Sequence, residues 1–222
     1  KSNALSQTLV EALLDAVDYA YTDGTRLLVI EGEGRHFSAG FDFTGYEDSS
    51  DGDLVLRFIR IETLLQRLYH APFTTVALAH GRIFGAGADI VASCSVRVAE
   101  PGTTFRMPGL RFGVVLGTHR LMHRVGADKA REILSASATF NADDAKSMGF
   151  LTHVAPRADW PALLDTLRQS TDSLSLTATR ALHERTVIES RADDMNALAT
   201  SVSVPGLKER IRNYRESMKG SS

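Results

Sequence analysis

The 222-residue chain has 43% hydrophobic and 23% charged residues, which is the composition of a globular protein with one substantial core. Its formal net charge of −2 argues against a general attraction to nucleic acid or to an anionic membrane surface. The single cysteine, Cys94, rules out an internal disulfide framework, and no apolar run reaches the length of a membrane span. We therefore expect a cytoplasmic protein with neither nucleic-acid nor membrane partners.

The first hundred residues alternate between helical and strand-like segments. Leu9, Leu13 and Val17 recur at helical spacing, whereas residues 27–30 (Leu-Leu-Val-Ile) form a short apolar run that is typical of a strand. In chain order, the sequence predicts helices over 8–20, 54–69 and 90–94, strands over 26–31, 74–79 and 96–99, and a polar loop over 44–53. This repeated succession predicts an α/β layered domain.

After Gly126 the sequence becomes mainly helical. One strand is predicted over 151–154, and Asn141 is a favourable residue to begin a helix. The predicted helices cover 128–136, 141–148, 160–170, 177–189 and 205–218. We therefore divide the chain into an α/β core over 1–126 and a helical C-terminal lobe over 127–222.

Two glycine-rich segments, each after a predicted strand, carry most of the chemical information. The first is SAGFD at 38–42, and the second is GRIFGAGAD at 81–89. Small residues let backbone approach a ligand closely, and the second segment leads into a helical run whose first amides lack intrahelical partners. Two converging N–H groups would form an oxyanion hole. The alternative is that these glycines only permit tight packing of strand against helix.

The pair of segments resembles the crotonase (enoyl-CoA hydratase/isomerase) superfamily, in which S-A-G-x-D is followed later in the chain by G-x-x-x-G-x-G. The likeness extends to Asn3-Ala4-Leu5, to PGLRFG at 108–113 in place of the family's P-E-x-x-x-G, and to Arg120-Leu121. It implies a ββα spiral core whose first strand precedes Lys1. It also implies that the helical lobe packs against other subunits in homotrimers or dimers of trimers.

Carried over residue by residue, the resemblance assigns the two oxyanion-hole amides to Phe41 and Ala86 and makes an acyl-CoA thioester the substrate. One such donor is worth about 3 kcal/mol in the transition state. Coenzyme A enters as part of the substrate, and no separate cofactor is expected. The coenzyme A channel would be lined by the backbone of Ala39, Gly40, Phe41, Asp42 and Gly85.

The acid and base positions depart from the family pattern. Hydratases of the family use two glutamates, and their positions are Asp89 and Gly109 in this chain. Asp89 keeps a carboxyl group on a shorter arm, whereas Gly109 has no side chain. Hydration needs a base that activates water and an acid that delivers a proton, so one of the two groups is missing. Alternatively, Asp89 only complements the dipole of its helix.

Several functions stay open on these residues. The leading interpretation is an enzyme of the enoyl-CoA hydratase/isomerase type that stabilises a thioester enolate, with Asp89 acting alone or with a replacement for the lost glutamate. The alternatives are an acyl-CoA decarboxylase or hydrolase on the same scaffold, or a catalytically impaired subunit that only binds coenzyme A. Dinucleotide binding is disfavoured because the second segment does not match G-x-G-x-x-G.

The histidines raise one further possibility. His119 and His123 are four residues apart on a predicted helix, so one helix face would present both. We predict no metal site, because a third ligand and the H-E-x-x-H pattern are absent from the sequence. His119, like Gly109, is instead a candidate for the wall of the acyl pocket.

Overall fold

The structure, a computed structural model, describes residues 2–219. Its N-terminal half contains α1 (Gln7–Ala20), β1 (Leu27–Glu31), α2 (Asp51–Tyr69), β2 (Thr74–Ala79), β3 (Arg82–Phe84), α3 (Ala86–Ser93), β4 (Val96–Ala99) and β5 (Thr104–Arg106). A 3₁₀ turn over Gly109–Phe112 follows. The second half contains α4 (Thr118–Val125), α5 (Ala127–Ala136), β6 (Thr139–Asn141), α6 (Ala142–Ser147), β7 (His153–Val154), α7 (Trp160–Asp172), α8 (Leu176–Thr186), α9 (Arg191–Ser203) and α10 (Leu207–Lys219).

The strands form two sheets, which confirms the predicted α/β class. The larger sheet has the order β1-β2-β4-β7, and all of its pairs are parallel. In the smaller sheet β3 pairs with β5 in parallel, and β5 pairs with β6 in the antiparallel sense. Val76, Ala77, Leu78 and Ala79 of β2 are all buried, as expected of a strand covered on both faces.

The second glycine-rich segment contains the junction of β3 with α3, whereas the first lies in the connection between β1 and α2. Ser50 caps α2 by accepting a hydrogen bond from the Asp53 amide (3.0 Å), and the Asp53 carboxylate bonds back to the Ser50 amide (3.2 Å). The predicted loop over 44–53 therefore ends at residue 50. Asn141 caps α6 as predicted, since its side chain accepts from the Asp144 amide at 2.9 Å.

Four elements are absent from the sequence-based assignment. These are the three-residue strands β3, β5 and β6, which are too short to show an alternating pattern, and the helix α9. The strand predicted over 151–154 is consequently not the lone strand of the C-terminal half, and α3 begins at Ala86 rather than at Ile90. Strands β6 and β7 both follow Gly126 in the chain; β6 belongs to the smaller sheet and β7 to the larger one. The division of the chain into two domains stays a prediction.

The main hydrophobic core lies between the larger sheet and the helices α1, α2 and α3. Fully buried side chains from α2 include Leu54, Phe58, Ile61, Leu64 and Leu65. Helix α3 is buried along its whole length, so its N-terminus is held rigidly in the interior. Within residues 2–219, no helix is both long enough and apolar enough to cross a membrane.

Candidate active site

The two glycine-rich segments pack directly against each other. The amide of Phe84 donates a hydrogen bond to the carbonyl oxygen of Ser38 (3.2 Å). A Cβ atom at Gly40 would lie 2.4 Å from the carbonyl oxygen of Phe84, and one at Gly87 would lie 2.8 Å from the Cβ of Ser38. Gly40 also has a φ of +78°, which disfavours any residue with a side chain. The glycines therefore allow this close contact between the segments.

The backbone pattern directs the Phe41 amide away from its strand-like partner. The Leu5 amide donates to the Gly40 carbonyl oxygen (2.8 Å), and the Asp42 amide donates to the Leu5 carbonyl oxygen (3.4 Å). Because amides alternate in direction along extended backbone, the Phe41 amide points to the opposite side. Ala86 is the first residue of α3, so its amide has no acceptor within the helix. Phe41 and Ala86 both line one cavity.

This cavity has a volume of about 270 Å³ and a mainly apolar wall. The C-terminal helix α10 closes one side with Tyr214 and Met218. Among the described residues, Asp89 is the only acidic residue in the lining. Aromatic surface comes from the side chains of Phe41, Phe43, Phe58, Phe84 and Phe112. The site therefore suits an apolar group next to one carboxyl group.

Asp89 is held in an environment that favours its protonated form. Its residue surface is only 3% exposed, and its Oδ1 has no hydrogen-bond partner within residues 2–219. Burial raises the pKa of Asp89 to about 8, although the charge of Arg120 acts in the opposite direction. The carboxyl group packs against Gly117, where a Cβ atom would lie 1.9 Å from Oδ1. At neutral pH Asp89 is therefore mainly a neutral acid.

A buried ionic network lies beside Asp89. Arg120 contacts Glu62 of α2 (Nη2 to Oε2, 2.5 Å) and Asp194 of α9 (Nη1 to Oδ2, 3.0 Å). Ser190 donates a further hydrogen bond to Asp194 at 2.8 Å. These contacts join α2, α4 and α9 around a guanidinium group that is fully buried. Because each charge has a partner, the network is compatible with an interior position.

His119 and Gly109 have different positions in the structure. Gly109 lines the cavity, and a Cβ atom there would lie 3.0 Å from the carbonyl oxygen of Val114. His119 is not among the lining residues; its Nδ1 lies 2.9 Å from Oδ1 of Asp194, and 42% of its side chain is exposed. His119 therefore lies outside the cavity wall, on the surface of α4, in hydrogen-bond contact with Asp194. The described residues contain no group of three or more potential metal ligands.

Three of the five residues expected to contact coenzyme A lie in the wall of the cavity. Ala39, Phe41 and Gly85 line the cavity, and Ala39 is exposed at its edge. Gly40 is buried beneath them, and the Asp42 carboxylate accepts hydrogen bonds from the Thr44 amide (2.9 Å) and hydroxyl (2.7 Å). Their contact with coenzyme A stays a prediction.

The sequence did not indicate the residues that complete the site from distant parts of the chain. No sequence motif links Gly117 or Tyr214 to Asp89. The three residues come together only in the folded chain. Arg120 carried a family likeness, but its partners Glu62 and Asp194 are 58 and 74 positions away.

Comparisons with known proteins identify the family of the chain. A model of the enoyl-CoA hydratase/isomerase family matches residues 1–218. The chain is 32% identical over 158 residues to the "Probable enoyl-CoA hydratase" of Bacillus subtilis, which covers 68% of this chain and 60% of that protein. It is 30% identical to the "Probable enoyl-CoA hydratase echA6" of Mycobacterium leprae, covering 72% and 65% respectively. The chain therefore spans less than two thirds of the length of these relatives.

Solved structures show the same fold. The crystal structure of a "putative enoyl-CoA hydratase/isomerase" from Bordetella parapertussis superposes with a TM-score of 0.94. That protein is 50% identical in sequence, and the match covers 95% of this chain and 88% of that chain. The enoyl-CoA hydratase of Bacillus halodurans, at 16% identity, superposes with a TM-score of 0.84 over 96% and 92%. These matches confirm the crotonase fold with its C-terminal helical region. The chain belongs to the enoyl-CoA hydratase/isomerase family.

Proposed function

We propose that this protein acts on acyl-CoA thioesters by stabilising an enolate, with Asp89 as the group that carries the proton. The observation that carries the proposal is that the buried Asp89 carboxyl group and the residues Phe41 and Ala86 line one apolar cavity. Amides at Phe41 and Ala86 would donate to the thioester oxygen, where negative charge develops. The family membership supports a thioester as the substrate.

The coenzyme A part of the substrate would lie over the exposed edge of the cavity at Ala39. Phe41 and Gly85 would follow towards the interior, and the acyl group would enter the aromatic part of the cavity. For a hydratase or isomerase reaction the apolar lining favours an uncharged acyl chain, because a charged group would lose its hydration there. In a decarboxylation the same loss of hydration would destabilise the carboxylate that leaves as carbon dioxide.

Asp89 would have to serve both proton transfers of a hydratase or isomerase reaction. In its ionised form it removes a proton from substrate or water, and in its protonated form it returns a proton to carbon. Gly109 offers no second carboxyl group. Because the pKa of Asp89 is raised to about 8, a reaction that starts with proton removal needs the minority ionised form at neutral pH.

The protonated state of Asp89 favours decarboxylation as a second candidate. In that reaction the bond between the α-carbon and a carboxylate breaks, carbon dioxide leaves, and the electron pair forms the thioester enolate. The proton of Asp89 then moves to the α-carbon, and solvent reprotonates the carboxylate. This series of steps needs one acid and no base. Among the described residues, the cavity lining supplies one carboxylic acid, Asp89.

A pH profile of turnover separates the two candidates. We expect kcat with crotonyl-CoA to rise through about pH 8 if Asp89 acts first as a base, and kcat with a malonyl-type thioester to fall through about pH 8 if it acts as an acid. Asp89→Asn should lower kcat at least about a hundredfold, whereas the exposed Asp165→Asn serves as the matched control. Unchanged turnover in Asp89→Asn would contradict the role of this carboxyl group.

Two other outcomes of the same assay identify the remaining alternatives. Release of the free thiol of coenzyme A would indicate thioester hydrolysis. Binding of crotonyl-CoA without turnover of any thioester would indicate a catalytically impaired binding subunit.

We also propose that the chain assembles as a homotrimer or a dimer of trimers in the cytoplasm. Exposed apolar side chains on and beside α8, including Leu176 (57%), Leu182 (50%) and Ile188 (53%), support an assembly that covers them. Light scattering coupled to size-exclusion chromatography tests the stoichiometry, and a monomer at all concentrations would contradict it.

A further inference from the structure

Arg57 of α2 contacts the first glycine-rich segment at two points. Its guanidinium carbon lies 4.4 Å from the centre of the Phe41 ring. Its Nη2 also donates a hydrogen bond to the carbonyl oxygen of Asp42. The two contacts hold the Phe41 ring and the carbonyl group of Asp42, which lie on either side of the Phe41–Asp42 peptide unit. The Phe41 amide belongs to the preceding peptide unit, so Arg57 restrains it through the Cα atom of Phe41.

The Phe41 ring is held by aromatic neighbours as well. Phe58, the next residue along α2, stacks on it with centroids 4.3 Å apart and an interplanar angle of 11°. Phe43 meets the ring edge-on at 5.1 Å. A ring in these contacts has little rotational freedom. Arg57 adds a directional hydrogen bond, which the aromatic contacts do not supply.

Arg57 is itself fixed in place. It is partly buried, and burial lowers its pKa while the charge of Asp42 raises it. The helix that carries it begins at the Ser50–Asp53 capping box. Its bond to Asp42 therefore closes the loop between the glycine-rich segment and α2, a span of 15 positions.

We infer that Arg57 is a positioning residue that, together with the hydrogen bond from the Leu5 amide to the Gly40 carbonyl oxygen, fixes the direction of the Phe41 amide towards the substrate oxygen. This inference rests on the proposed function, in which that amide is one of two oxyanion donors. Oxyanion donors act through preorganised geometry, so a donor that is free to rotate loses much of its effect. The planar guanidinium group suits both stacking and hydrogen bonding, which an ammonium group does not reproduce.

The matched control is Arg60, one helical turn further along α2. Arg60 forms an ion pair with Glu11, its Nε lying 2.7 Å from Oε1, and both side chains are about 40% exposed. Arg60→Gln removes the same type of side chain from the same helix without touching Phe41. Arg57→Gln should lower kcat for a turned-over thioester about tenfold with KM changed less than about twofold. Arg57→Lys should recover only part of the loss.

A spectroscopic measurement tests the inference even without turnover. Crotonyl-CoA labelled with carbon-13 at the thioester carbonyl is bound to each variant, and the infrared carbonyl band is recorded. Hydrogen bonds from two amides shift this band to lower frequency. We expect the full shift in the unmodified protein and in Arg60→Gln, a smaller shift in Arg57→Gln, and an intermediate shift in Arg57→Lys.

The outcomes distinguish the positioning role from the proposed function. A full shift in both the unmodified protein and Arg57→Gln would overturn the role of Arg57 and leave the oxyanion hole intact. No shift in the unmodified protein, or no binding, would overturn the oxyanion hole and the role of Arg57 together. Should Arg57→Gln not fold, a full shift in the charge-retaining Arg57→Lys would likewise count against positioning.

Discussion

At the scale of single residues, Gly117 and Asp89 form a matched pair. The carboxyl group of Asp89 fills the space that any side chain at position 117 would need. Gly117 has a φ of +66°, so its backbone conformation also favours glycine. The aspartate arm is one methylene shorter than the glutamate of family hydratases, and its carboxyl group lies beside Gly117, the residue that precedes α4. The position of Asp89 therefore depends on the absence of a side chain at residue 117.

Gly117→Ala should displace Asp89 from the cavity. The added methyl would lie 1.9 Å from Oδ1, so the carboxyl group must rotate or α4 must shift. We expect kcat to fall by at least about tenfold, because a small displacement of a catalytic group costs that much. Steady-state kinetics on whichever thioester the protein converts provides the measurement.

Gly126→Ala provides the control for backbone strain. Gly126 lies at the other end of α4 with a φ of +82°, and a Cβ atom there would meet nothing within 4 Å. Through backbone strain alone, Gly117→Ala should lower the free energy of unfolding by about 1 kcal/mol. Gly126→Ala should lower it by about 1–3 kcal/mol, because its φ of +82° and ψ of 160° are almost restricted to glycine. Equal losses of turnover in the two variants would show that strain, rather than displacement of Asp89, explains the effect of Gly117→Ala.

At the scale of elements, two basic side chains fasten the C-terminal helix α10 to the rest of the site. Arg210 donates hydrogen bonds to four carbonyl oxygens, those of Phe112 (3.1 Å), Gly113 (3.1 Å), Ser201 (3.2 Å) and Val204 (3.0 Å). Lys208 adds bonds to the backbone of the loop before α2, at Glu47 (3.0 Å) and Ser49 (2.7 Å). The cavity wall formed by α10 is therefore fixed through backbone carbonyl groups rather than by charge pairing.

Arg210→Met should loosen α10 while the rest of the fold stays intact. Hydrogen bonds that involve a charged group contribute about 1.5–3 kcal/mol, so local opening of α10 should become at least about tenfold more frequent. Hydrogen exchange of the α10 amides measures this directly, and KM for the thioester should rise as the wall opens. Arg212→Met, on the exposed side of the same helix, should exchange like the unmodified protein. Unchanged α10 exchange in Arg210→Met would show that other contacts hold the helix.

The elements differ in how far the sequence predicts them. Long periodic segments such as α1 and α2 were predicted within a few residues, because burial of one face imposes a repeating apolar pattern. Strand β3 was missed because its three residues are too few for a pattern. Helix α9 was missed because its buried positions include Asp194, whose partners come from distant parts of the chain.

The features of the candidate site also differ in how far the sequence predicts them. The segments around Phe41 and Ala86 were recognised because close backbone packing demands small residues at short spacing. The raised pKa of Asp89 arises from burial, and the contacts of Arg57 with Phe41 and Asp42 join separate elements. Local sequence does not encode either feature.

At the scale of the whole molecule, a buried acid makes stability depend on pH. The ordinary pKa of an aspartate is 3.8, and burial raises that of Asp89 to about 8. Below 3.8 both folded and unfolded forms hold the proton, so Asp89 contributes no pH dependence. Between the two values the unfolded chain releases the proton while the folded chain retains it, so the free energy of unfolding falls as the pH rises. Above about 8 both forms are ionised and the contribution is constant.

Asp89→Asn should remove this contribution because asparagine does not ionise. Relative to that variant, the unmodified protein should lose up to about 1.4 kcal/mol of unfolding free energy per pH unit between 3.8 and about 8. Urea titrations of both proteins across this range provide the difference, in which all other titrating groups cancel. Parallel stability curves would show that the folded protein does not hold the Asp89 proton.

The placement of Tyr214 and Met218 in the cavity wall has a consequence for synthesis. The ribosome makes both glycine-rich segments before α10, and until α10 docks the cavity beside Asp89 lacks the wall formed by Tyr214 and Met218. Water then reaches the carboxyl group, and its affinity for the proton should approach that of an ordinary aspartate. The proton affinity of Asp89 thus depends on the docking of α10.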